Sequence, residues 1–124
     1  MKRLEDEANV CLTTFRRDGT PVDTPVWVVG RQGRLYLNTA AGSFKVKRIR
    51  ANPAIRLAPC SMRGTVTGAW HSGKARIVNE AAVVEPVRRA FRAKYRWSLL
   101  LLPLFARFSR RYRERVFVEV TLDS

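Results

Sequence analysis

The sequence predicts a mainly β protein, a small Greek-key barrel of five or six strands carrying two short helices. Three observations lead there. Short alternations of apolar and polar residues, rich in β-branched types, recur from Val10 to Leu122. Turn residues punctuate the first of them, Asp18-Gly19 and then Gln32-Gly33. Only the stretches after Ser43 and after Glu80 repeat their apolar residues at helical spacing.

Asn9–Phe15 reads as the first strand, with Val10, Leu12 and Thr14 alternating against Cys11 and Thr13. Arg17-Asp18-Gly19-Thr20 is a hairpin turn, because Asp-Gly supplies the positive-φ positions a tight connection needs. Val22–Val29 is the second strand, with Pro21 and Pro25 where a ladder donor can be spared. Arg31-Gln32-Gly33 turns the chain again, and Leu35–Thr39 follows as the third strand. Ala40-Ala41-Gly42-Ser43 is a loop of small residues in which Ser43 is a good N-cap. The helix it opens runs to about Ala51, with Val46 and Ile49 turned inward, and Asn52-Pro53 stops it. Ala54–Pro59 is a fourth strand, Ser61–Gly68 a loop, and Trp70–Val78 a fifth strand in which Gly73 suggests a bulge. Glu80 to about Tyr95 is helical, with Ala82, Val83, Val87, Ala90, Phe91 and Tyr95 recurring every three or four residues. Val116–Leu122 closes the pattern as a last strand.

The length of 124 residues suits a single domain spanning 1–124. A hydrophobic content of 46% can build a core, which argues against a disordered basic tail. Two cysteines make no disulfide framework, and no pattern offers a metal four ligands. The N-terminus carries Glu5, Asp6 and Glu7 and lacks the apolar core of a secretory signal. The run Trp97–Phe105 falls short of the roughly 20 residues of a spanning helix. A cytoplasmic location is the expectation.

Charge is more telling. There are 24 Lys and Arg against 10 Asp and Glu, a net +14. No acid occurs between Asp23 and Glu80, or between Glu85 and Glu114, while both stretches are rich in Arg and Lys. Such runs attract anions. Nucleic acid is not the expected partner, since exposed aromatics are not interleaved with the bases and no helix-turn-helix is visible. The run Trp97–Phe105 followed by the bases of Arg107–Arg115 suits peripheral contact with an anionic membrane, or else a helix packed on the barrel.

Catalytic side chains are scarce. His71 is the only histidine and has no acid within eight residues on either side. Cys11 reads as core, and Cys60 as a loop thiol that could be exposed. No carboxylate pair, Walker A loop, dinucleotide fingerprint or nucleophile elbow is present. No catalytic residue is assigned, so any reactivity is expected to come from a bound cofactor. The stretch Asn38–Arg48 suits a phosphate. A strand end presents the Thr39 hydroxyl, Gly42 permits close approach, and Ser43 opens a helix whose free N–H groups favour an anion. Lys45, Lys47 and Arg48 sit in its first turns, where cations oppose the helix dipole unless an anion joins them. An ordinary capped helix with solvated lysines would look the same.

Four ordered segments carry a resemblance: Leu12–Pro21, Thr24–Val28, Leu35–Thr39 and Lys45–Pro53. With Gly68–Val78 and Lys94-Tyr95-Arg96-Trp97, they resemble the pyridoxamine 5′-phosphate oxidase-like split-barrel proteins. The branch they fit is the actinobacterial flavin/deazaflavin oxidoreductases that use coenzyme F-420. The resemblance implies a six-stranded antiparallel split barrel with short peripheral helices, dimerising with its cofactor between subunits. It implies that Pro25, Val26, Trp27 and Val28 lie along the cofactor ring and that Thr39, Ser43, Lys45 and Lys47 hold its phosphate. Trp70 would reach the cofactor from the other subunit, or serve as an interface aromatic.

The C-terminal substrate-binding pattern of the vitamin-processing oxidases is not recognisable in Val116–Ser124. A pyridoxamine-phosphate substrate is therefore not expected. The long basic surface favours the deazaflavin over flavin mononucleotide, because the former carries a phosphodiester and an acidic tail that Arg48, Arg50 and Arg56 would steer. The expectation is hydride transfer between reduced F-420 and an electron-poor small molecule in a homodimer. A non-catalytic flavin, deazaflavin or haem carrier on the same scaffold is the alternative.

Overall fold

Two tight turns fold the first half of the chain into a meander, in a computed structural model that describes residues 3–95 and 115–123. The strands are β1 (Val10–Phe15), β2 (Pro21–Arg31) and β3 (Arg34–Ala40). At the first turn Gly19 has φ of 88°, and the Thr20 N–H donates to the Asp18 carboxylate at 2.9 Å. At the second, Gln32 and Gly33 both take positive φ, as the tightest hairpins demand. The chain continues through α1 (Phe44–Ala51), β4 (Ala54–Pro59), β5 (His71–Val78), α2 (Ala81–Lys94) and β6 (Arg115–Leu122).

The six strands close into an antiparallel barrel in the order β1-β2-β3-β6-β5-β4. The neighbours β4-β1-β2-β3 are a Greek key, with α1 as the long connection that carries β4 round to pair with β1. Alternation decides which side chains face in. Val10, Leu12, Val26, Val28, Leu35, Leu37, Ile55, Leu57, Val118 and Val120 fill the interior. α1 buries Val46 and Ile49, and Ile49 joins that core. α2 covers the outside of the sheet, where Val87, Phe91 and Tyr95 pack on Val29, Tyr36, Val78 and Phe117. No helix among the described residues is long and apolar enough to cross a membrane. The Trp97–Phe105 run and the bases up to Arg113 lie outside the described residues.

Several sequence expectations need correction. Gly73 is not a bulge: it pairs in unbroken register with Ile55 on one side and Leu122 on the other. Its role is close approach, since a Cβ there would meet the Thr121 carbonyl oxygen at 2.5 Å and the Leu122 Cα at 3.0 Å. β5 begins at His71, one residue after Trp70, and Ala82 on α2 is exposed. Cys60 is buried rather than exposed, because the loop after β4 folds back and Cys60 bridges to Val66. Burial raises its thiol, and pushes that of Cys11 up to about 11, which disfavours the reactive thiolate at both.

Candidate functional site

β2 changes partners along its length, and the cavity lies where it does so. Pro21–Val26 pair with β1, whereas Trp27–Arg31 pair with β3. Among the described residues no strand pairs with the β3 edge of β2 from Thr24 to Val26. Beyond the rung Trp27–Asn38 the two strands part around a cavity of about 470 Å³, within the range of small-molecule sites. Thr24, Pro25, Val26 and Trp27 form one wall, and Asn38, Thr39 and Ala40 the other. The start of α1 supplies Gly42, Ser43, Phe44, Lys45 and Arg48, and β6 contributes Arg115.

Among the described residues no acid lines this cavity, while Lys45, Arg48 and Arg115 all do. Burial first, and then Arg115 and Arg48, pull the Lys45 ammonium below its ordinary value. Two buried polar atoms on the walls have no protein partner, Ser43 Oγ and Asn38 Oδ1. Ser43 stands at the N-cap position with extended backbone, yet its hydroxyl makes no capping bond. A helix N-terminus, an uncommitted hydroxyl and three convergent cations make the local electrostatics favourable to negative charge. Phe44 stands at the mouth, 63% exposed, with the Lys47 and Arg48 charges each 5.7 Å from its ring centre.

Of the twelve residues the sequence singled out, seven meet here: Pro25, Val26, Trp27, Thr39, Ser43, Lys45 and Arg48. Val28 does not. Its side chain is in the barrel core, its N–H donates to the Tyr95 hydroxyl at 3.1 Å, and its carbonyl accepts from Lys94 at 2.7 Å. Lys47 and Arg50 are exposed on α1 outside the cavity lining. Arg56 and Trp70 form a separate pair, the guanidinium 4.7 Å over the indole, with Arg56 Nε buried and unpartnered. Sequence reasoning missed Thr24 and Arg115. Thr24 lies beside the Pro25–Val28 segment, but Arg115 follows a basic run and gave no separate signal.

Among the described residues the lining contains no imidazole, thiol, phenol or carboxylate, a set suited to binding and orienting a ligand. His71 lies elsewhere, exposed on a second groove of about 930 Å³ with Leu4, Leu35, Pro59, Val120 and Leu122. The buried carboxylate of Glu119 is committed to structure. It accepts from Tyr36 Oη at 3.0 Å and from Arg76 Nε at 2.9 Å on the outer face of β3, β6 and β5.

The same architecture recurs in solved structures. A conserved hypothetical protein from Mycobacterium tuberculosis is 22% identical, covers 98% of this chain and 76% of its own, and superposes with a TM-score of 0.71. An F-420 reductase is 21% identical, over 98% of this chain and 90% of its own, with a TM-score of 0.57. The haem storage protein HutZ from Vibrio cholerae is 10% identical, over 96% and 84%, with a TM-score of 0.60. No curated protein matches the sequence. Residues 1–124 match the family model for pyridoxamine 5′-phosphate oxidase. The order of strands, the cleft between β2 and β3 and this match over the whole sequence agree: the chain belongs to the pyridoxamine 5′-phosphate oxidase-like split-barrel family.

Proposed function

We propose that the protein is an oxidoreductase that holds coenzyme F-420 in the cleft between β2 and β3 and reduces an electron-poor small molecule. One observation carries this reading: among the described residues, three cations, no acid and two unpartnered buried polar atoms converge on a single cavity. The residues suit a phosphate-bearing ring. Ser43 and the first N–H groups of α1 donate to phosphate oxygens, while Lys45, Arg48 and Arg115 offset the charge. Asn38 Oδ1 accepts from an N–H or hydroxyl of the ligand, and the unpaired edge of Thr24–Val26 runs alongside the ring. When bound, the deazaflavin supplies a hydride. The chain orients it; with no acid among the described residues of the cavity walls, solvent or substrate supplies the accompanying proton.

Charge beyond the cavity supports the deazaflavin over flavin mononucleotide. Lys47 and Arg50 extend the basic surface of α1 away from the phosphate position, where an acidic tail would run. The pair Arg56–Trp70 is what one subunit of a homodimer would bring to the cofactor of the other. Titration with F-420 and with flavin mononucleotide tests the choice. Binding of F-420 at least ten-fold tighter, and turnover of its reduced form with electron-poor alkenes, is the expected result. Equal affinities, or unchanged F-420 affinity in Lys45→Ala/Arg48→Ala, would overturn it.

The absence of a carboxylate, imidazole, thiol or phenol among the described lining residues favours a second reading, a flavin, deazaflavin or haem carrier without turnover. The likeness to a haem storage protein is compatible with it. Binding without steady-state oxidation of the reduced cofactor selects this reading.

A further inference from the structure

The end of α2 reaches the cleft through an aromatic stack. Trp27, on the cleft wall, lies flat on Tyr95, with ring centres 4.4 Å apart and planes within 4° of parallel. Tyr95 is held from several sides. Its hydroxyl accepts from the Val28 N–H at 3.1 Å and donates to the Ala8 carbonyl at 2.8 Å. Its ring packs on Phe91, a fully buried residue, at 5.9 Å. Beside it, the Lys94 ammonium donates to the carbonyls of Glu5, Glu7 and Val28, at 2.7, 2.6 and 2.7 Å. Two adjacent residues of α2 thus grip one point of β2.

That point is where β2 leaves β1 and takes up β3. Along a continuous sheet, a neighbour on each side holds an outward-facing aromatic in place. Trp27 has a rung on the β3 side, opposite Asn38, and no β1 partner. Tyr95 supplies the missing lateral support. The Ser43, Lys45 and Arg48 corner belongs to α1 and the loop before it, and makes no contact with this stack among the interactions described above.

We propose that Tyr95 is a positioning residue for the ring half of the bound cofactor. By stacking on Trp27 and pinning the Val28 backbone, it sets the separation of β2 and β3 at the cleft. It thereby governs affinity for a planar heterocycle and leaves the anion corner alone. The proposal rests on the cofactor reading above and adds a residue that lies outside the cavity lining.

Two ligands separate the halves of the site, inorganic phosphate for the anion corner and F-420 for the whole. Tyr95→Leu removes the stack and the hydroxyl; Tyr95→Phe keeps the stack. The expected result is that Tyr95→Leu weakens F-420 about ten-fold, equivalent to ~1.4 kcal/mol, with phosphate affinity within two-fold of wild type. Tyr95→Phe returns F-420 affinity to within about three-fold. The unchanged phosphate affinity also shows that the Leu variant is folded. Wild-type affinity for F-420 in Tyr95→Leu, or parallel loss of phosphate and F-420, would overturn the positioning role. A wild-type protein that binds phosphate but not F-420 overturns the cofactor reading and this proposal with it. If Tyr95→Leu does not fold, the decision passes to Tyr95→Met, which keeps bulk without the ring: weakened F-420 with phosphate unchanged sustains the stack, and wild-type F-420 affinity overturns it.

Discussion

Trp27 and Asn38 form the last rung between β2 and β3, and the cleft opens where that ladder ends. The Asn38 Oδ1 is buried there with nothing to bond. Replacing it by a carboxylate keeps its shape and sets a negative charge in the cavity that Lys45, Arg48 and Arg115 line. Asn38→Asp is expected to weaken F-420 binding about ten-fold, ~1.4 kcal/mol, whereas Asn38→Ala costs less. Calorimetric titration checks it; tighter binding in the Asp variant would place the anion elsewhere.

Lys45 answers a question of sign. Its lowered value means that the folded, unliganded protein binds fewer protons than the unfolded chain in the window just below the ordinary lysine value. Below that window the charged ammonium costs stability, and the cost fades as pH rises through it. Lys45→Met should leave the unliganded protein at least as stable at pH 7. The same variant should lose the stabilisation that phosphate confers, which for a ligand at ten times its Kd is about 1.4 kcal/mol. Thermal melts in phosphate and in chloride at equal ionic strength measure both effects.

Ser43 separates capping from binding. An N-cap serine replaced by alanine ordinarily costs ~1 kcal/mol of stability. Here the hydroxyl makes no capping bond, so Ser43→Ala is expected to change unfolding free energy by less than about 0.5 kcal/mol. Affinity for F-420 should fall several-fold, in line with one lost hydrogen bond of ~1 kcal/mol. A large stability loss with unchanged affinity would make Ser43 a structural cap after all.

Glu119 shapes the acid limb of stability. Burial pushes its carboxyl up, but the bonds from Arg76 and Tyr36 more than offset this and hold it below the usual range. A depressed carboxyl contributes stability that is present above its unfolded value and lost as pH falls through the folded one. Glu119→Gln should cost roughly 1–3 kcal/mol at pH 7 and flatten the loss below pH 4.5. Urea unfolding at pH 7 and pH 3 makes the comparison, and an undiminished acid limb in the variant would assign that limb to other groups.

Gly73 is held by crowding rather than by its dihedral angles. Gly73→Ala forces a methyl against the Thr121 carbonyl and should destabilise the β5–β6 ladder by roughly 1–3 kcal/mol. Urea midpoints test this; a neutral variant would mean that the strands can part at little cost.

The legible part of the site is the part that is local. Asn38, Thr39, Ser43, Lys45 and Arg48 fall within one strand–loop–helix, so their types and spacing already describe an anion corner. Arg115 was not legible, because it reaches the cleft only through register: β6 pairs with β3 so that Arg115 lies opposite Ala40. Tyr95 read as one more apolar position of α2, and nothing in the helical period shows that it would lie on Trp27. Arg56, assigned to an acidic tail by its charge, and Trp70, assigned to the cofactor by resemblance, lie against each other, a contact that neither argument contained.

Alternation, turn residues and caps are relations between neighbours along the chain. They were enough to predict a β barrel, its inward-facing residues and the cluster of Ser43, Lys45 and Arg48 at the start of α1. Which strand lies beside which is a relation between distant segments, and a period of two says only which face is buried. Tertiary structure alone decided that β2 exchanges β1 for β3 at Trp27 and that β6 lies beside β3, since the extent and partner of each ladder are not written in the alternation. The cleft exists because of that exchange, and the cations of α1 and β6 meet across it.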